Sequence, residues 1–188
     1  LASVIPMQPD KAKASELLGL HLEDKVVAVL PGSRLAELKH LAPRYFKAVA
    51  GVLIAFPAMK FIVPSMPKHI PLLQQIAKDC GVENQVQIIS GQSHTALEAC
   101  DVTLITSGTA TLEAALYKRP MVIGYALNWL SYEIMKRKKL QPWVGLPNIL
   151  SGKFVVPELI QDAATPEALA AATLAWFDAP EKVADLER

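Results

Sequence analysis

The chain has 188 residues, 52% of them hydrophobic and 20% charged, with a formal net charge of +1 at pH 7. That length and apolar content suit one domain, or one half of a larger fold, with a substantial core, and the near-balanced charge argues against a nucleic-acid partner. No apolar stretch reaches the roughly 20 residues of a spanning helix and no secretory leader opens the chain, so a soluble, cytoplasmic, non-exported protein is expected.

In chain order, the Pro-bearing segment Val4-Ile5-Pro6-Met7-Gln8-Pro9 follows a start at Leu1 without Met and reads as an interdomain linker, so the expectation is a fragment. Residues 1–24 are taken as linker and lead-in helix, 25–160 as an α/β core and 161–188 as C-terminal helices of a single domain. Val26-Val27-Ala28-Val29-Leu30 is an apolar run of strand length ending at Pro31-Gly32, and a segment of helical spacing follows from about Ala36 to Phe56. The alternation continues with a strand at Lys60 to Pro64, a helix at Leu72 to Cys80, a strand at Val86 to Ile89 and a short helix at Thr95 to Ala99. It closes with a strand at Val102 to Thr106, a helix at Thr109 to Tyr117, a strand at Met121 to Gly124, a helix at Ala163 to Trp176 and a further segment from Pro180. Fully apolar strands separated by helices predict a Rossmann-like, doubly wound parallel sheet covered on both faces. Ligands in such folds bind beyond the carboxyl ends of the strands.

Two turns at such ends carry the chemistry. Ser107-Gly108-Thr109-Ala110-Thr111-Leu112-Glu113 follows a strand and opens a helix, which presents free backbone N–H groups and the positive end of a helix dipole to an anion. Glu113 lies one turn after Thr109 on the same face, within reach of sugar hydroxyls, while the plainer reading has Ser107 or Thr109 merely capping the helix. Pro31-Gly32-Ser33-Arg34 forms the other turn. There Gly32 admits close approach to the backbone and Arg34 can fork onto a phosphate, against the alternative of a plain turn with a solvated arginine. The fingerprints G-x-G-x-x-G and G-x-x-x-x-G-K-[ST] are both absent, which argues against a dinucleotide enzyme and a P-loop ATPase. Cys80 and Cys100 lack metal spacing and read as structural, reduced thiols. His21, His40, His69 and His94 are scattered without a partner motif, so no metal is expected.

Leu30-Pro31-Gly32-Ser33-Arg34, Ser107 to Glu113, Pro120 to Tyr125 and Leu146 to Gly152 together resemble the carboxyl-terminal half of the lipid A disaccharide synthase family. The resemblance implies the nucleotide-sugar half of a two-domain GT-B glycosyltransferase whose acceptor-facing amino-terminal half is missing here. It further implies inverting transfer of a diacylglucosamine unit from UDP-2,3-diacylglucosamine to 2,3-diacylglucosamine 1-phosphate, without cofactor or metal. By the same resemblance, the backbone at Ile89 and Ser90 meets the uracil, Glu113 the ribose, and Ser107, Gly108, Thr109 and Ala110 the diphosphate, beside Gly32 and Ser33. Arg34 neutralises the leaving diphosphate and Asn148 stands near the donor, although Pro147-Asn148 also reads as an ordinary turn pair. Tyr125 is a weaker candidate for the cleft, since a Tyr at a strand end also serves as core. The general base belongs to the missing half, so the chain is expected to bind but not to transfer.

Trp129 to Met135 places aromatic and apolar residues before the cations Lys136-Arg137-Lys138-Lys139. This stretch, 129–139, reads either as a packed helix with a solvated basic end or as a peripheral contact with the inner leaflet, the reading that acylated substrates favour. Exposed apolar surface left by the missing half would also favour a homodimer. The alternatives to a transferase are a UDP-sugar epimerase domain and a non-catalytic nucleotide-binding module.

Overall fold

A computed structural model describes residues 9–126 and 143–187; the 129–139 stretch and residues 1–8 of the linker lie outside the described residues. The first helix, α1 (Lys11–Leu17), starts at Asp10, whose carboxylate accepts the Lys13 N–H. Ala14 and Leu18 are buried, and Lys11 pairs with Asp101, so this helix packs into the core.

Among the described residues six strands follow: β1 (Val26–Leu30), β2 (Lys60–Ser65), β3 (Val86–Ser90), β4 (Val102–Ile105), β5 (Met121–Tyr125) and β6 (Glu158–Ile160). They form one parallel sheet in the order β3-β2-β1-β4-β5-β6. The first five lie within a residue of the expected strands. β6 was not anticipated, because three residues after Pro157 carry too short a pattern to register against a loop.

Among the described residues the further helices are α2 (Leu35–Ala55), α3 (Ile70–Asp79), α4 (Ser93–Ala99), α5 (Thr109–Leu116), α6 (Leu146–Ser151), α7 (Pro166–Phe177) and α8 (Pro180–Glu187). Every residue of β1 is buried, and its side chains alternate between two cores. Val27 and Val29 join Leu38, Tyr45 and Phe46 of α2, Leu73 of α3 and Leu169 of α7. Val26, Ala28 and Leu30 join Ala14 of α1, Leu97 of α4 and Ala114 of α5. The sheet is therefore doubly wound, as its unalternated apolar strands predict.

α2 runs through Pro43, which lacks a donor for one helical bond without ending the helix. Its Tyr45 hydroxyl donates to the Gly124 carbonyl at 2.8 Å, and a Cβ on Gly124 would meet that oxygen at 2.7 Å. Glycine thus lets α2 close on β5. α7 begins at Pro166, three residues after the expected Ala163, because Thr165 caps it by accepting the Ala168 N–H. Trp176 Nε1 donates to the Met121 carbonyl and holds α7 to β5.

Candidate functional site

The strand order reverses between β1 and β4, where the chain leaves Leu30 and Ile105 side by side in register. At such a switch point the two departing turns diverge and leave a crevice at the carboxyl edge of the sheet. A cleft of about 480 Å³ lies there, a volume in the range of small-molecule sites. From the β1 turn it is lined by Gly32, Ser33, Arg34 and Glu37, and from the β4 turn by Thr106, Ser107, Gly108, Thr109, Ala110 and Glu113. The ends of β2 and β3 contribute Met66, Gly91 and Ser93.

Both turns depend on glycine. Gly108 stands at φ +129° and caps α5 without a side-chain bond, so no side chain occupies the first N–H groups of α5, at Thr109 and Ala110 on the cleft wall. Thr111 Oγ1 donates back to the Gly108 carbonyl at 2.6 Å, which turns that carbonyl into the helix. Gly32 stands at φ +125°, and a Cβ there would meet Glu37 Oε2 at 2.7 Å. That space is what lets the Glu37 carboxylate reach the Arg34 N–H at 3.4 Å, with the Arg34 guanidinium at 3.8 Å from its other oxygen.

The charges are unevenly buried. The Arg34 side chain is 84% exposed, whereas Glu37 and Glu113 are 16% and 18% exposed. Glu113 Oε2 has His94 Nε2 at 3.8 Å, and the His94 ring stands edge-on to Tyr117. Thr106 is 5% exposed at the cleft floor, and its hydroxyl has no hydrogen-bond partner. Among the described residues no three His, Cys, Asp or Glu side chains come together as metal ligands.

The candidate residues divide accordingly. Gly32, Ser33, Arg34, Ser107, Gly108, Thr109, Ala110 and Glu113 converge on the cleft. Ile89 and Ser90 are outside the lining but pair in register with Pro64 and Ser65, which line the cleft together with Gly91 and Ser93. Tyr125, at the end of β5, is outside the lining; burial pushes its hydroxyl pKa up, the Glu37 charge raises it further and Arg34 opposes them.

Asn148 is outside the lining as well. It is fully buried in α6, not a turn residue, and its Oδ1 accepts the Val155 and Val156 N–H groups at 2.7 and 3.0 Å. Its Nδ2 donates to the Val156 carbonyl and to Glu158 Oε1 at 2.9 and 2.7 Å. With both acceptor positions and both donors occupied, the side chain has no capacity left for a donor sugar. Glu158, which sequence reasoning did not single out, also accepts the Val144 and Gly145 N–H groups and so fastens the start of α6 to β6. The Val144 carbonyl in turn accepts from Ser107 Oγ at 3.4 Å, linking this network to the cleft.

The profile of the family described as lipid-A-disaccharide synthetase matches residues 1–186. The chain belongs to that family. It is 59% identical over 192 residues to the lipid-A-disaccharide synthase of Albidiferax ferrireducens, covering 100% of the chain and 49% of that relative. It is 43% identical to the synthase of Methylobacillus flagellatus, covering 50% of that protein. The chain thus spans about half the length of the curated relatives it matches. Among solved structures it resembles WaaG, a glycosyltransferase of lipopolysaccharide biosynthesis, with a TM-score of 0.67 at 16% identity over 95% of this chain and 45% of that one. It also resembles a UDP-GlcNAc 2-epimerase from Neisseria meningitidis bound to UDP-GlcNAc, with a TM-score of 0.66 at 12% identity over 95% of this chain and 43% of that one. At those identities the structural likeness establishes for this lipid-A-disaccharide synthetase half the GT-B type of α/β fold.

Proposed function

We propose that this chain is the donor half of a lipid A disaccharide synthase and holds the UDP moiety of UDP-2,3-diacylglucosamine. The observation that carries the reading is the convergence, at the β1–β4 switch point, of the open α5 N-terminus, the Arg34 guanidinium and the Glu113 carboxylate. Free N–H groups and a helix dipole suit a diphosphate, and a carboxylate one turn further along suits ribose hydroxyls. Arg34, exposed and tied among the described residues to Glu37, can move onto the diphosphate as its charge grows during cleavage of the sugar bond. The remaining half of the protein would supply the acceptor, 2,3-diacylglucosamine 1-phosphate, and the general base. Family membership favours a transferase over the epimerase alternative.

Calorimetric titration with UDP and ADP tests this. UDP is expected to bind selectively, and Glu113→Ala and Arg34→Ala are each expected to weaken it by about tenfold, the worth of one charge-assisted contact. Equal binding of ADP, or binding unmoved by both substitutions, would overturn the reading. The apolar-then-basic run at 129–139 supports a further proposal, contact with an anionic membrane surface. In the full-length enzyme, charge reversal at Lys136 to Lys139 is expected to reduce sedimentation with anionic vesicles; unchanged sedimentation would refute it.

A further inference from the structure

We propose that His69 is a positioning residue of the cleft: with Glu37 it holds the Ser33–Arg34 peptide plane and thereby sets the direction in which Arg34 approaches a bound diphosphate. His69 ends the short helical turn Pro67–His69 after β2 and is buried at 7% exposure. Its Nε2 lies 3.1 Å from the Ser33 carbonyl oxygen. A carbonyl only accepts, so Nε2 carries the proton and donates.

The next peptide atom along the chain, the Arg34 N–H, donates to Glu37 Oε2 at 3.4 Å. Ser33 C=O and Arg34 N–H belong to one planar trans unit and point in opposite directions, and the described residues contain no cis bond. One peptide plane is therefore gripped from both sides, by β2's end through His69 and by α2's first turn through Glu37. Its neighbour Gly32, at φ +125°, imposes no stiffness of its own. The Arg34 side chain, at 84% exposure, has no packing to fix it. The backbone clamp fixes the point from which so free a side chain reaches, and each backbone freedom removed raises its effective concentration at the ligand.

The inference rests on the donor-cleft reading for its ligand, and the test separates the two. UDP affinity of the 188-residue chain would be measured for wild type, His69→Phe, His69→Gln, Arg34→Ala and the Phe/Ala double variant. Losing the donor is expected to weaken UDP about three- to tenfold, the range of one neutral hydrogen bond. His69→Gln, whose amide nitrogen can take the place of Nε2, is expected to restore affinity, and His69→Phe is expected to add nothing once Arg34 is alanine. Wild-type affinity in His69→Phe, a loss undiminished in the Arg34→Ala background, or no rescue by glutamine would each overturn the proposal. Should the phenylalanine variant not fold, His69→Met removes the donor with a more adaptable side chain.

A wild-type chain that binds no UDP would sink the donor reading instead. The clamp is then decided by hydrogen exchange at the Arg34 amide. Local acceleration in His69→Phe, reversed in His69→Gln, supports it, and unchanged exchange overturns it.

Discussion

Asn148 and Thr106 show how the same polar chemistry takes opposite signs according to its partners. Truncating Asn148 to alanine strands the buried Val156 N–H and carbonyl and the half-buried Val155 N–H, and the expected cost is about 3 kcal/mol, read as a lower urea midpoint at unchanged slope. Thr106 carries a buried hydroxyl with no partner, so Thr106→Val, which keeps the shape and deletes the orphan, is expected to stabilise the unliganded chain by about 1 kcal/mol in the same assay. Neither outcome is legible in the sequence. The four bonds of Asn148 reach residues seven to ten positions further on, and His69 meets Ser33 across 36 positions. By contrast, Gly108 and Glu113 were found because a strand, a small-residue turn and a helix are contiguous in the chain.

At the level of elements, the β4–α5 turn is the part of the cleft most dependent on backbone conformation. Gly108→Ala places a Cβ with nothing within 4 Å of it, so its cost is conformational and not steric. A residue at φ +129° is expected to lose about 1–3 kcal/mol, and relaxation of the turn should weaken UDP binding as well. Calorimetry and urea unfolding on the same variant would register both effects; unaltered stability would show that the turn tolerates a side chain. Strands β1 to β5 were legible because each carries a short, mostly apolar run, buried throughout in β1 and β4, and because segments of helical spacing separate these runs. α6 and β6 were not, because a six-residue helix beginning Leu146-Pro147 and a three-residue edge strand are held by the Glu158 and Asn148 bonds, not by a periodic apolar face.

Across the whole molecule, two buried acids make the fold sensitive to alkali. Burial pushes the Cys100 thiol up to about 12 from its ordinary 9.0, and burial also raises the Tyr45 hydroxyl, against the opposing bond to Gly124. The native state holds these protons more tightly than the unfolded chain, so stability is full below about pH 9 and falls as pH rises toward 12. The slope approaches ~1.4 kcal/mol per pH unit for each group while only the unfolded state ionises it. Cys100→Ala is expected to flatten the thiol's share of that decline in pH-dependent unfolding. The same burial predicts two classes of thiol, with Cys80 modified in the native protein and Cys100 only on unfolding. Equal native labelling of both would contradict the buried placement of Cys100.

Local pattern in the sequence determined the parallel α/β class, the first five strands and the two glycine turns, because each is encoded by residues adjacent along the chain. Tertiary structure decided what those turns become. The strand order brings Leu30 and Ile105 together, so turns more than 70 residues apart share one cleft. It also turned Asn148 into a buried strut, and brought His69 and Glu37 onto the two ends of a single peptide. The His69 contact joins segments 36 positions apart, and the Asn148 and Glu37 contacts, though nearer in sequence, form only once packing sets the path of the backbone between them.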